Sequence, residues 1–226
     1  MDRIHALPRI WSNAELRRFA HLFRGDIVNV SAWQDEDKEG GTYARYFRNA
    51  ASYRKTNYLP EQRGHQGAAD EIFLDLAAAL PPDLDRGFDV VFNHTTLEHV
   101  FDFRKAFANL CRMSRDAVIL VVPWMQQMHS QYGDYWRFSP LAIDRLFTEE
   151  GFRTAYLSFN RQPRTSVYVF AIATLHPDRW RDDFDFKVEF ADPDAAYVTK
   201  EPFAGCNVIM PPVLRRLKRR VKAILH

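Results

Sequence analysis

Apolar positions recur at helical spacing over residues 13–23, where Leu16, Phe19, Ala20 and Phe23 share a face and Ser12 stands as an N-cap. Gly25 and Asp26 end that helix. Ile27 to Ser31 then reads as a short buried strand, followed by the polar turn 34–41. Residues 42–47 suit a short helix, 51–58 a second strand and 71–76 a third, with a polar loop over 61–70. The apolar run 88–93 has the character of a strand at the centre of a parallel sheet. A helix follows over 101–113, with Phe103, Ala106, Phe107, Leu110 and Met113 on one face. Residues 117–123 form the strongest strand in the chain, β-branched and stopped by Pro123. A helix over 141–150 is opened by Ser139-Pro140 and closed by Gly151. The runs 152–159 and 167–174, joined by a short polar turn, suit an antiparallel hairpin. Alternating strands and helices closed by a hairpin predict a doubly wound α/β domain.

The length, 226 residues, allows one domain with an extension, and 46% hydrophobic residues exclude a disordered or fibrous chain. The longest apolar stretch, 117–125, is too short to span a bilayer, and Asp2 and Arg3 stand where an export signal needs apolar residues. A cytoplasmic location is therefore expected, with peripheral attachment to the inner membrane as an extension of it. Cys111 and Cys206 lack ligand spacing, so no metal is expected. The net charge of +2 divides unevenly. Residues 213–226 carry six cations and no acid, so a body at −4 precedes a tail at +6. Val213, Leu217 and Val221 recur near helical spacing among those cations, a pattern that reads as a basic amphipathic helix for an anionic membrane surface. Nucleic acid is not expected, because no aromatic residue is interleaved with the cations.

The aspartate-led strand 88–93 and the following His94-Thr95-Thr96-Leu97-Glu98-His99-Val100 resemble the segment after strand 4 of class I S-adenosylmethionine-dependent methyltransferases. The strand 118–123, His129, Gly133-Asp134-Tyr135-Trp136-Arg137-Phe138-Ser139-Pro140 and the helix ending before Phe152 resemble the region after strand 5 in the type 11 branch. The resemblance covers about residues 25–174. It implies an α/β, Rossmann-like class I methyltransferase fold: a mostly parallel seven-stranded sheet with a C-terminal antiparallel hairpin and helices on both faces. The domain would occupy 1–174, an irregular wrapping extension 175–212 and the basic helix 213–226.

The resemblance also implies S-adenosylmethionine as cofactor, held at the strand ends. Asn29, Ser31 and Ala32 occupy the places of an acid and a glycine-rich turn, and Asn57 that of the acid that holds the ribose. Asp75 and Leu76 match the positions facing the adenine, and Asn93 and His94 end strand 4. His129 and Asp134 are the catalytic candidates, since an imidazole of near-neutral pKa can take a proton from an attacking hydroxyl. Tyr135, Trp136 and Arg137 are candidates for sugar or phosphate recognition, by stacking and by a guanidinium fork. Glu98 and His99 fall where the first turn of the next helix is expected, a place that favours a carboxylate through the helix dipole. More narrowly, the chain resembles methyltransferase-like proteins of bacterial surface-polysaccharide and O-antigen biosynthesis. That implies O-methylation of a glycan or glycolipid precursor, with a protein partner in a polysaccharide-assembly complex. A different class of reading follows from Asn57 and the altered strand-1 turn: a non-catalytic methyltransferase-like module that binds a glycan or a partner.

Overall fold

The computed structural model describes residues 2–59, 64–129, 133–162 and 164–188. The basic helix expected over 213–226, and the part of the wrapping extension beyond residue 188, lie outside the described residues. Seven strands form one sheet in the order β3-β2-β1-β4-β5-β7-β6. They are β1 Gly25–Val30, β2 Ala50–Asn57, β3 Glu71–Phe73, β4 Phe88–His94, β5 Ser114–Met125, β6 Arg153–Phe159 and β7 Val167–Thr174. The pairs among β1 to β5 are parallel, and β7 runs antiparallel to both β5 and β6. This is the expected sheet.

Side chains alternate across it. Ile119 and Val121 of β5 and Phe92 of β4 face α1 (Ala6–Phe19), meeting its Leu16. Leu120, Val122 and Val91 face α2 (Phe103–Met113) and α3 (Pro140–Glu149), meeting Leu110, Phe107, Ile143 and Phe147. Helices thus cover both faces. α2 is capped by Asp102, whose carboxylate accepts from the Lys105 N–H, and α3 by Ser139, which accepts from Ala142. No described helix is long and apolar enough to cross a membrane.

Three expected elements differ. α1 begins at Ala6, so Ser12 is a buried mid-helix residue and not a cap. Pro8 falls in the first turn, where a missing N–H leaves no bond unmade. The third strand stops at Phe73, because its partner β2 stops at Asn57 and Asp75 turns the chain by accepting from the Ala77 N–H. Leu97–His99 is a separate 3-10 turn ahead of α2, so Glu98 is not at that helix's N-terminus.

Among the described residues, the links from β1 to β4 contain only 3-10 turns, at Tyr43–Tyr46 and Pro82–Leu84. Buried carboxylates organise the first link. Asp35 accepts from Asn29 Nδ2, the Tyr53 hydroxyl and the Ala44 N–H, and Asp37 accepts from the Glu39 and Gly41 N–H groups and the Tyr46 hydroxyl. Backbone donors that a helix would have paired are satisfied by these oxygens instead.

Candidate functional site

The strand order reverses between β1 and β4, and in such sheets ligands bind outside the carboxyl ends at that point. Two cavities open there. The first, about 430 Å³, is bounded by Ser31, Asn57, Asp75, Leu76, Thr95 and Thr96, with Tyr135 and the exposed Phe101 at its mouth. The second, about 530 Å³, is lined by His5, Arg9, Glu98, His99, His129 and Tyr168. Thr95 and His99 border both, so the cavities are neighbours across that wall.

The turn after β1 is built without glycine. Ser31 and Trp33 take left-handed backbone angles, φ 57° and 54°. The strain of that conformation is offset by bonds to β2: the Ser31 and Ala32 N–H groups reach Thr56, and the Trp33 N–H donates to Asn57 Oδ1 at 2.7 Å. Asn57 Nδ2 donates in turn to the Trp33 carbonyl at 3.1 Å and to Glu71 Oε1 at 2.5 Å. The Asn57 side chain is therefore a clasp between β1, β2 and β3, with both amide atoms engaged. Asn29 is likewise committed, to Asp35, and it borders a smaller cavity of about 150 Å³ with Ser31, Ala32 and His94. Asp75, half-buried on the 430 Å³ cavity, spends one carboxylate oxygen on Ala77.

Asn93 is fully buried and donates to the Val30 carbonyl, tying β4 to β1. The proton on His94 can be placed from its neighbours. Ser12 donates its single hydroxyl proton to the Arg9 carbonyl, so His94 Nε2 donates to Ser12 Oγ at 2.9 Å, leaving Nδ1 to accept from Thr95. Burial, reinforced by the Arg9 charge, pushes the His94 pKa well below its usual value, in keeping with a neutral ring. Thr95 itself is left-handed, φ 50°, which is unusual for a β-branched residue and marks a constrained corner at the cavity wall.

Beyond it lies a cluster of titratable groups. Glu98 is 1% exposed, and burial raises its pKa to about 7 against the opposing pull of His99. Its Oε2 has no hydrogen-bond partner, while its carbonyl accepts from the Tyr135 and Trp136 N–H groups. His99 Nδ1 bonds the Gly133 carbonyl at 2.6 Å, and its Nε2 lies 3.7 Å from Glu98 Oε1. His129 is held by its backbone N–H, which donates to Asp134 Oδ2 at 2.7 Å, and its Nδ1 lies 3.4 Å from the same oxygen. Burial depresses the His129 pKa, so the ring is neutral near pH 7 and able to accept a proton. Asp134 is a fixed anion: the Arg137 fork at 2.5 and 2.8 Å holds its pKa at about 2.

Of the sequence candidates, the structure gathers Ser31, Asp75, Leu76 and Asn57 on one cavity and His129 on the next. Tyr135 stands half-exposed at the rim, edge-on to Phe101 at 5.3 Å. Trp136 and Arg137 turn inward. Trp136 donates from Nε1 to the Phe101 carbonyl and packs on Phe103, and Arg137 is spent on Asp134 and on the Gln126 and Gln127 carbonyls. Sequence reasoning missed Arg9, His5, Thr95 and Tyr168. Arg9 lies in, and His5 directly before, an N-terminal helix that starts earlier than its periodicity shows, and Tyr168 is an inward position of a strand read only as framework.

No family model matches the chain, and no curated protein matches it in sequence. Solved structures do. A candidate methyltransferase of Bacillus halodurans C-125 is 11% identical over 72% of this chain and 97% of that one, with a TM-score of 0.53. A candidate sarcosine dimethylglycine methyltransferase of Galdieria sulphuraria is 13% identical over 74% and 84%, with a TM-score of 0.51. The magnesium protoporphyrin IX methyltransferase of Synechocystis PCC 6803, solved with bound S-adenosylhomocysteine, is 10% identical over 74% and 82%, with a TM-score of 0.50. Sheet order and these likenesses together define a Rossmann-like fold of the class I methyltransferase kind.

Proposed function

We propose that this chain is an S-adenosylmethionine-dependent methyltransferase, with the cofactor in the 430 Å³ cavity and the acceptor in the 530 Å³ cavity beside it. The observation that carries the reading is the pairing of these cavities across Thr95 and His99, at the point where the strand order reverses. The cofactor would supply an electrophilic methyl group. Asp75 offers a carboxylate oxygen beyond its bond to Ala77, and Ser31 and Ala32 keep the strand-1 turn small, so the residues present fit an adenosyl group with a zwitterionic tail. The chain's own work is to align an acceptor oxygen with that methyl and to remove its proton, which neutral His129 takes as the new oxygen–carbon bond forms. Asp134, fixed by Arg137, orients the imidazole by holding its backbone and lying beside Nδ1.

The finer reading rests on the sequence resemblance. The acceptor is a hydroxyl of a glycan or glycolipid precursor in surface-polysaccharide biosynthesis, modified on the cytoplasmic side, with 213–226 binding an anionic membrane surface and a protein of the assembly machinery as partner. A second reading, a methyltransferase-like module without activity, is favoured by one observation: Asn57, at the place of the ribose-holding acid, has both amide atoms engaged. Calorimetric titration of the full chain with S-adenosylhomocysteine separates the two. Saturable heat at one site per chain supports the enzyme; no heat and no thermal shift, with protein folded by circular dichroism, supports the module. For the tail, sedimentation with anionic vesicles should be lost on deleting 213–226, and unchanged sedimentation refutes that part.

A further inference from the structure

We infer that Glu98, His99 and His129 bind a divalent transition-metal ion, Zn²⁺ by the chemistry of the donors, on the floor of the acceptor cavity. One donor atom from each residue lies within 4.8 Å of the other two. Two imidazoles and one carboxylate are the ligand set of an open zinc site, which leaves a fourth position for a substrate oxygen.

An independent observation points the same way. Glu98 is 1% exposed, lines the cavity, and presents Oε2 with no hydrogen-bond partner. A buried carboxylate oxygen left unpaired is costly, and a cation is the partner that relieves the cost. His99 is also set as a metal-binding histidine is, with one ring nitrogen fixed by an oxygen. A carbonyl can only accept, so His99 Nδ1 carries the proton donated to Gly133 at 2.6 Å, and Nε2 faces Glu98 Oε1 at 3.7 Å. His129 Nδ1 sits 3.4 Å from Asp134 Oδ2, an oxygen already held by Arg137. Ligand atoms about 2.0–2.2 Å from a tetrahedral ion stand roughly 3.4 Å apart, so the Glu98–His99 pair is near that spacing, and the His129 donor, within 4.8 Å of both, has to close the remaining gap.

The inference deepens the acceptor-site reading and rests on it for its consequence. With the ion bound, His129 serves as a ligand and not as the base. An acceptor hydroxyl in the fourth position ionises more readily, its proton leaving to water through the open cavity.

The test uses the full chain, stripped with a chelator and dialysed. Co²⁺ is titrated against visible absorption and then displaced by Zn²⁺, and S-adenosylhomocysteine heat is measured on the same samples. We expect one Co²⁺ per chain with tetrahedral-type absorption. Glu98→Gln and His129→Ala should weaken it by more than the roughly 10–100-fold that loss of an outer partner costs, while His21→Ala, at an exposed histidine elsewhere, leaves it unchanged. Glu98→Gln keeps the side-chain volume, and its melting curve checks that it folds. Absence of Co²⁺ absorption, or wild-type affinity in Glu98→Gln and His129→Ala, overturns the metal site. If S-adenosylhomocysteine heat persists in that case, the ion is refuted while the methyltransferase reading stands.

Discussion

Restoring an acid at the end of β2 should destabilise this protein. In Asn57→Asp, the side chain keeps its size but loses both donated bonds, to the Trp33 carbonyl and to Glu71 Oε1, and places carboxylate against carboxylate. The lost bond to a charged acceptor is worth about 1.5–3 kcal/mol and the neutral one about 0.5–1.5. Asn57 is 3% exposed, so water cannot replace them, and the retained Trp33 N–H bond offsets only part of the about 3–5 kcal/mol that an unpaired buried charge costs. A net loss of about 4 kcal/mol is expected, within the total stability of about 5–15 that a domain has. Urea unfolding followed by circular dichroism should show the midpoint falling by about 1.5 M with the slope unchanged. The introduced carboxyl has its folded pKa raised by Glu71. The deficit is therefore full above that raised value and shrinks as pH falls below it, where the protonated carboxyl can donate again. Adding Glu71→Gln supplies a donor amide opposite the introduced carboxylate and should recover about 2 kcal/mol, a coupling in the usual range for residues in contact. Wild-type stability for Asn57→Asp, or no recovery in the double variant, refutes the clasp.

Further predictions concern the same framework. Glu71 has its pKa held at about 2, below an unfolded value of 4.5, because the bonds from Asn57 and the Gln66 and Ala68 N–H groups outweigh the upward push of burial. Its contribution is thus complete above about pH 4.5 and lost as pH falls toward 2. Glu71→Gln should flatten that part of an acid-unfolding profile, and an unaltered profile contradicts the assignment. Ser31 sits at φ 57°, so Ser31→Gly should gain up to about 1 kcal/mol while Ser31→Val loses a similar amount, read as opposite shifts in melting temperature. Asp116, 3% exposed, accepts from the Thr174 hydroxyl and Trp180 Nε1 and pairs with Arg179. Asp116→Ala should cost about 2–4 kcal/mol, with residues after β7 showing the largest loss of amide-exchange protection; uniform loss contradicts that local role.

The sheet was legible because strands buried on both faces are apolar along most of their length, and 90–92 and 117–123 carry that signature. Helix α3 was legible from local chemistry, its serine cap and proline start. What escaped depends on contacts between distant residues. Asn57 reads as the loss of an acid; only the fold shows its amide placed between Trp33 and a carboxylate fourteen positions on, at Glu71. Glu98 reads as a carboxylate at a helix start. It is buried, and its carbonyl accepts from the Tyr135 and Trp136 N–H groups more than thirty residues on, which no local pattern encodes. Arg137 reads as a free guanidinium for phosphate, yet Asp134 three residues before it already fills the fork. The acid and the arginine were both visible, but their spacing alone does not say that they meet.

The central claim is that the cavity at the ends of β1, β3 and β4 receives S-adenosylmethionine. A crystal structure of the full chain grown with S-adenosylhomocysteine tests it most directly. One molecule per chain is expected between Ser31, Asp75 and Thr95, with its sulfur directed toward the cavity that holds Glu98, His99 and His129. A structure grown at saturating ligand with that cavity closed, or with the ligand bound elsewhere, contradicts it.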